Sequence, residues 1–217
     1  MKNLIKKEFK LSAHILSYCF VAFGLMTFLP GYPILLGGFF SCLGIFQSFQ
    51  SYRESNDIAY SVLLPVSKKD VVKAKYFFVL ILQLATFTVM FIASMIRMTV
   101  LKEAAVYVNN ALLTANFVFL GYALILFGLF NVLFVRGFFK TGYYFGKPFI
   151  LFCVACFLLV GIAETLWHIP GLSVLNSFGF ENIGVQLCGL TTGVVIFAGL
   201  TLVGYKKSVK TFEKTDL

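Results

Sequence analysis

Charge is scarce in this sequence. Only 12% of the 217 residues are charged, and 9 of them are acidic. Soluble domains carry about 25% charged residues, so disorder, a coiled coil and an ordinary soluble enzyme are all excluded or disfavoured. Histidine is nearly absent too. His14 and His168 fall on opposite sides of the membrane under the topology derived below and cannot share a metal ion. No H-E-x-x-H or G-x-S-x-G pattern occurs. The nearest approach to a phosphate-binding loop, Gly142 to Lys147, is one residue short between its glycines and runs into Pro148 where a Ser or Thr is needed. A phosphate cradle needs successive backbone N–H groups opening a helix, so no ATP site and no cofactor are expected in this chain. The five cysteines (Cys19, Cys42, Cys153, Cys156, Cys188) sit in apolar blocks. Without polar surroundings to hold a thiolate they read as small hydrophobes, Cys153-x-x-Cys156 included.

What the chain has in abundance is apolar sequence: 59% hydrophobic residues and a mean hydropathy of +0.91. These residues form charge-poor runs of the length needed to cross ~30 Å of hydrocarbon as helix. Six are expected as spans: 11–29, 34–49, 76–96, 111–135, 145–163 and 185–203. The fold class is therefore an all-α membrane protein, with 1–217 as one transmembrane unit. Residues 1–10, with four lysines, suggest a basic amphipathic helix lying on the membrane surface. The run that follows is too long for a signal peptide's apolar core, so the segment is expected to be retained. Pro30 and Pro33 mark a tight turn that makes the first two spans a hairpin, and His14 reads as interfacial.

The basic residues give the orientation. If both termini are cytoplasmic, 16 of the 18 Lys and Arg fall inside, leaving Arg97 and Lys102 outside. This distribution also explains the net charge of +9 without nucleic acid, since the bases are dispersed among connectors beside anionic lipid.

Two connectors stand out. Residues 50–75 form a cytoplasmic loop of mixed charge with an apolar middle, Ile58 to Val66, and Ser67 is placed to cap a helix entering the third span. The outer connector, 164–184, holds Glu164, Glu181 and Trp167. Trp167 is expected as an interfacial anchor and 169–180 as a surface-lying or partly re-entrant segment. In the last run, Gly189 and Gly193 form a small-xxx-small pattern that suits either self-association or packing within the chain.

In the 50–75 loop, Glu54 and Asp57, then Leu63-Leu64-Pro65-Val66-Ser67-Lys68-Lys69-Asp70-Val71-Val72, then Lys75-Tyr76, resemble the first cytoplasmic loop of small bacterial permeases of the ABC type-2 transporter family. Arg136, Gly137, Lys140 and Gly142 look like that family's second cytoplasmic loop, with a looser match. The resemblance implies a membrane subunit that pairs with a second copy and docks on a separate ATPase, which binds ATP and Mg2+. On that reading Ile58, Tyr60, Leu63, Leu64 and Val66 supply an apolar plug for the ATPase. Glu54, Asp57, Lys68, Lys69 and Asp70 supply charged orientation marks. Arg136 and Lys140 would mark the second loop.

The near absence of ionisable side chains in the spans disfavours proton- or ion-coupled carriage. It suits export of a hydrophobic or amphipathic cargo, a peptide or lipid-like molecule, across the plasma membrane. The rival readings are the six-span substrate-binding subunit of a vitamin importer and an intramembrane enzyme. The first lacks a reason for the Leu63 to Val72 stretch; the second lacks paired acids or clustered histidines.

Overall fold

The computed structural model describes residues 2–63, 65–108, 110–141 and 144–214, which are helical almost throughout and contain no strand. The chain enters through α1 (Lys2–Lys7), which runs into a π-helical turn, Glu8–Ser12. At Ala13 and His14 the backbone becomes extended, and His14 Nδ1 accepts from the Leu16 backbone N–H at 3.2 Å, capping α2 (Ile15–Cys19). A 3-10 helix, Phe20–Phe28, continues it. The segments 2–12 and 15–28 meet at 99°. The first apolar run therefore does not cross as one helix from residue 11. Its first residues belong to an N-terminal arm, because the extended pair Ala13-His14 breaks the helix.

After the turn at Pro30 to Pro33 come α3 (Leu36–Glu54) and α4 (Asp57–Leu63), separated by Asn56 at φ 49°. Asparagine tolerates that left-handed conformation at low cost, which permits a sharp change of direction. The longest helix, α5 (Lys68–Thr99), follows. Ser67 caps it as expected, its Oγ accepting from Asp70 N at 3.1 Å. The expected 50–75 loop is thus mostly helix, and the third apolar run starts its helix at Lys68, two turns ahead of the apolar block. α6 (Ala105–Val108) lies in the next connector. α7 (Phe117–Leu129), capped by Asn116, passes through a π-helical turn, Phe130–Val135, into α8 (Arg136–Lys140). α9 (Gly146–Leu166) and α10 (Ile183–Glu213) complete the fold. Between them residues 167–182 are irregular apart from a 3-10 turn, Ser173–Asn176, which is tied to the start of α7. Asn176 Oδ1 accepts from Thr114 N at 2.7 Å, and Asn116 Nδ2 donates to the carbonyls of Leu175 and Ser177.

Among the described residues, four helices are long and apolar enough to cross a membrane: 68–99, 117–140, 146–166 and 183–213. The bent pair 2–12 with 15–28 brings the total to five if it counts as one span. α3 falls below that measure because its second half carries Gln47, Ser48, Gln50, Ser51, Arg53 and Glu54. Its polar groups are used inside the fold: Ser48 Oγ meets Ser17 Oγ at 2.6 Å, and Ser41 Oγ meets Thr86 Oγ1 at 2.6 Å.

The most buried of these four helical stretches is 117–140. Its phenylalanines form the middle of the core: Phe130, Phe134 and Phe138 are fully buried, and Phe134 lies 5.1 Å from Phe49 and 5.4 Å from Phe46, ring to ring. Its closest partner is α10. A Cβ on Gly193 would lie 2.5 Å from Gly121 Cα, so the two backbones touch. The Gly189/Gly193 pattern therefore serves packing within the chain. Lower along the same seam Asn131 exchanges amide hydrogen bonds with Gln83 at 3.0 and 3.1 Å and donates to Thr201 Oγ1 at 2.9 Å. This ties α5, α7 and α10 together where hydrocarbon offers polar groups no other partner.

A candidate coupling site built on a buried charge cluster

Helix α4 is too short to be stable alone, and its first residue fixes it. Asp57, only 8% exposed, accepts from Lys75 Nζ at 2.8 Å through Oδ2. Its Oδ1 meets Lys7 Nζ at 2.6 Å and accepts from Ser12 Oγ at 2.9 Å. Lys75 is fully buried; it also contacts Glu8 Oε2 at 3.0 Å and sits 3.3 Å from the Tyr52 ring centroid. Lys7 donates in addition to Ser61 Oγ at 2.6 Å, one turn along α4. Two cations and two carboxylates therefore neutralise one another among four segments: the N-terminal arm, the end of α3, α4 and the start of α5. Burial pushes the Asp57 carboxyl up, but the ammonium groups of Lys75 and Lys7 outweigh it and hold it below the ordinary carboxylate value.

This arrangement divides the expected site residues in two. Tyr60 and Leu63 stand out at 67% and 82% exposed, and Glu54 is exposed. Asp57 is turned inward, its charge spent on Lys7 and Lys75, so it does not stand as a free surface mark. Val66 likewise packs against the core and is not part of an exposed plug. Asp70 accepts from Ser67 Oγ at 2.8 Å, which engages it in the cap of α5. Lys68 is half-buried, and Lys69 is exposed and lines a groove between α5 and α10. Leu64 and the side chain of Ile58 lie outside the described residues. In the second loop Lys140 is exposed and Arg136 half-buried, while Gly142 is outside the described residues. Gly137 packs on Pro148 so closely that a Cβ there would lie 2.6 Å from the ring, which holds α8 against the start of α9. Arg53 reaches this second loop, its guanidinium 5.3 Å from the ring centroids of Tyr144 and Phe145.

Sequence reasoning missed Lys7, Glu8, Tyr52 and Lys75. A signal was present: Glu8 is the one acid in a lysine-rich arm, and Lys75 is the last charge before a long apolar run. At the opposite end of α5, Arg97 is 2% exposed; its Nη1 donates to the Thr27 carbonyl at 2.7 Å and its guanidinium lies 4.2 Å from the Tyr107 ring centroid. No group of three or more metal-ligating side chains occurs among the described residues.

Long apolar helices held at one end by a buried cluster of charges define a multi-pass membrane protein with a structured polar face. Residues 3–213 match the family model described as ABC-2 family transporter protein, and the chain belongs to that family. It is thus a membrane subunit of an ABC transporter, of a kind that works with an ABC ATPase subunit. No curated protein and no solved structure matches the chain.

Proposed function

We propose that this chain is the membrane subunit of an ATP-driven exporter in the plasma membrane, and that it receives its separate ATPase on α4. One observation carries the docking site: a short helix exposes Tyr60 and Leu63 on one side and is locked to α5 and the N-terminal arm by buried ion pairs on the other. An ATPase pushing on such a helix moves what the helix is fastened to, which is the requirement for transmitting force. An exposed apolar anchor beside charges is also the usual composition of an interface hot spot and its rim. Lys68 and Glu54 are the orientation charges on this reading, with Arg136 and Lys140 contacted from the second loop. ATP and Mg2+ are bound by the partner.

Both termini lie in the cytoplasm on this reading, with six crossings if α3 counts as one, supported by the distribution of Lys and Arg. Two copies form one path, and the cargo is hydrophobic or amphipathic. The broad apolar faces of α9 and α10, where Ile150, Phe157, Leu158 and Val195 are exposed, support contacts with lipid and with a second copy. The test is reconstitution with the ATPase in inside-out vesicles. ATP-dependent accumulation of a fluorescent amphipathic peptide or lipid, by a complex with two copies of this chain in light scattering, is expected. ATP hydrolysis by the isolated chain, or a complex with a single copy that takes up a vitamin, would overturn the reading.

A further inference from the structure

The groove between α5 and α10 has a volume of about 400 Å3; it lies apart from the α4 cluster and meets the polar seam around Asn131 through Tyr76 and Thr201, whose hydroxyls are bonded to Asn131. Its lining changes character along its length. Lys69 and Lys73 stand at one end; Tyr76 and Tyr205, with rings 5.5 Å apart, come next; Phe77, Leu80 and Leu202 line the rest together with Thr201, whose hydroxyl is taken up by Asn131. From residue 69 to residue 80 a helix rises about 16 Å, roughly half of the ~30 Å hydrocarbon thickness. The groove therefore spans one leaflet, from a cationic mouth through an aromatic level to an apolar floor, which is the order of polarity in a phospholipid.

Among the described residues, neither Lys69 nor Lys73 makes an ion pair, whereas Lys75 on the same helix is neutralised by Glu8 and Asp57. Both stand in the first two turns of α5, where the helix dipole disfavours cations. Positive charge therefore exceeds negative at the mouth, which favours an anion there; the nearby carboxylate of Asp70 is turned to Ser67 and pairs with neither lysine among the described residues.

We infer that this groove is a binding site for an anionic phospholipid of the leaflet that faces the α4 end, its phosphate between Lys69 and Lys73 and one acyl chain along Phe77, Leu80 and Leu202. The occupant is a lipid and not a free anion, because the lysines open onto an apolar channel facing the hydrocarbon.

Native mass spectrometry of the full chain, released from nanodiscs of equal phosphatidylglycerol and phosphatidylcholine, tests this. A lysine beside an anionic headgroup contributes about five-fold in binding. The wild type should retain phosphatidylglycerol over phosphatidylcholine by at least ten-fold, and Lys69→Gln with Lys73→Gln should bring the ratio to near parity. Leu202→Trp, at an exposed position, should displace the lipid without changing charge. Lys206→Gln with Lys207→Gln, an equal loss of charge outside the lining, should leave the ratio within about two-fold. Parity in the wild type would overturn the site, as would an equal effect of the Lys206/Lys207 pair. Displacement of phosphatidylglycerol by millimolar inorganic phosphate would overturn the assignment to a lipid.

Discussion

Lys75 Nζ lies 2.8 Å from Asp57 Oδ2, and neither side chain is more than 8% exposed. That contact fastens the first residue of α4 to the longest helix of the protein, and through Glu8 and Lys7 to the N-terminal arm. A loop of mixed charge thereby becomes a positioned element. Buried ion pairs are weak sources of net stability but costly to break on one side.

Removing one carboxylate should expose that asymmetry. Asp57→Asn leaves two ammonium groups facing Glu8 alone and should destabilise the protein by about 3–5 kcal/mol. Adding Lys7→Gln restores charge balance, with Lys75 and Glu8 still paired, and should recover at least ~1 kcal/mol of that loss. Thermal midpoints in nanodiscs for the two single variants and the double variant check this; strict additivity would count against the cluster.

The sign of the pH dependence follows from the same contact. The Asp57 carboxyl is held below its ordinary value of 3.8. Its contribution to stability is fully present above that value and is lost as pH falls through the lower folded-state value. Melting of the wild type and of Asp57→Asn between pH 7 and 3 should show a constant gap down to about pH 4, narrowing only below it. A gap that closes already between pH 7 and 5 would contradict the pairing.

Packing of α7 on α10 rests on backbone contact at Gly121 and Gly193. Gly193→Ala should cost about 1–3 kcal/mol through forced separation of the helices. Because the contact lies within one chain, the copy number measured by light scattering should stay the same. A change in assembly with unaltered melting would place this glycine in an interface between copies.

Orientation is open to chemical labelling. In a background without cysteine, Ser67→Cys and Lys207→Cys should be shielded from an impermeant thiol reagent in intact cells, and Lys102→Cys, at a 59% exposed position, should react. Labelling at Ser67→Cys without permeabilisation would reverse the topology.

The apolar runs made the long helices legible because burial in hydrocarbon leaves a compositional mark, and Ser67 carried its role openly, whereas Gly189 and Gly193 left self-association and packing within the chain equally open until the contact with Gly121 decided between them. The cap at Ser67 also marked the start of α5 at Lys68, whereas the break at Ala13-His14 left no such mark, since a local backbone turn decides it. At the site, Tyr60 and Leu63 could be read as exposed anchors, but Asp57 looked like any loop carboxylate. Its partners lie 50 residues before it and 18 after it, and a charge buried by distant segments cannot be distinguished by sequence from a solvated one.

Docking on α4 is most directly tested by capture of the ATPase on the immobilised permease. Changing Leu63 and Leu64 to Ser removes apolar anchors and leaves the Asp57 cluster in place. The expected result is loss of ATPase capture with unchanged insertion and melting, while Lys68→Glu weakens capture mainly at low salt. Full retention of the ATPase by the Leu63/Leu64 variant would contradict docking on α4 and move the coupling site to residues 136–147.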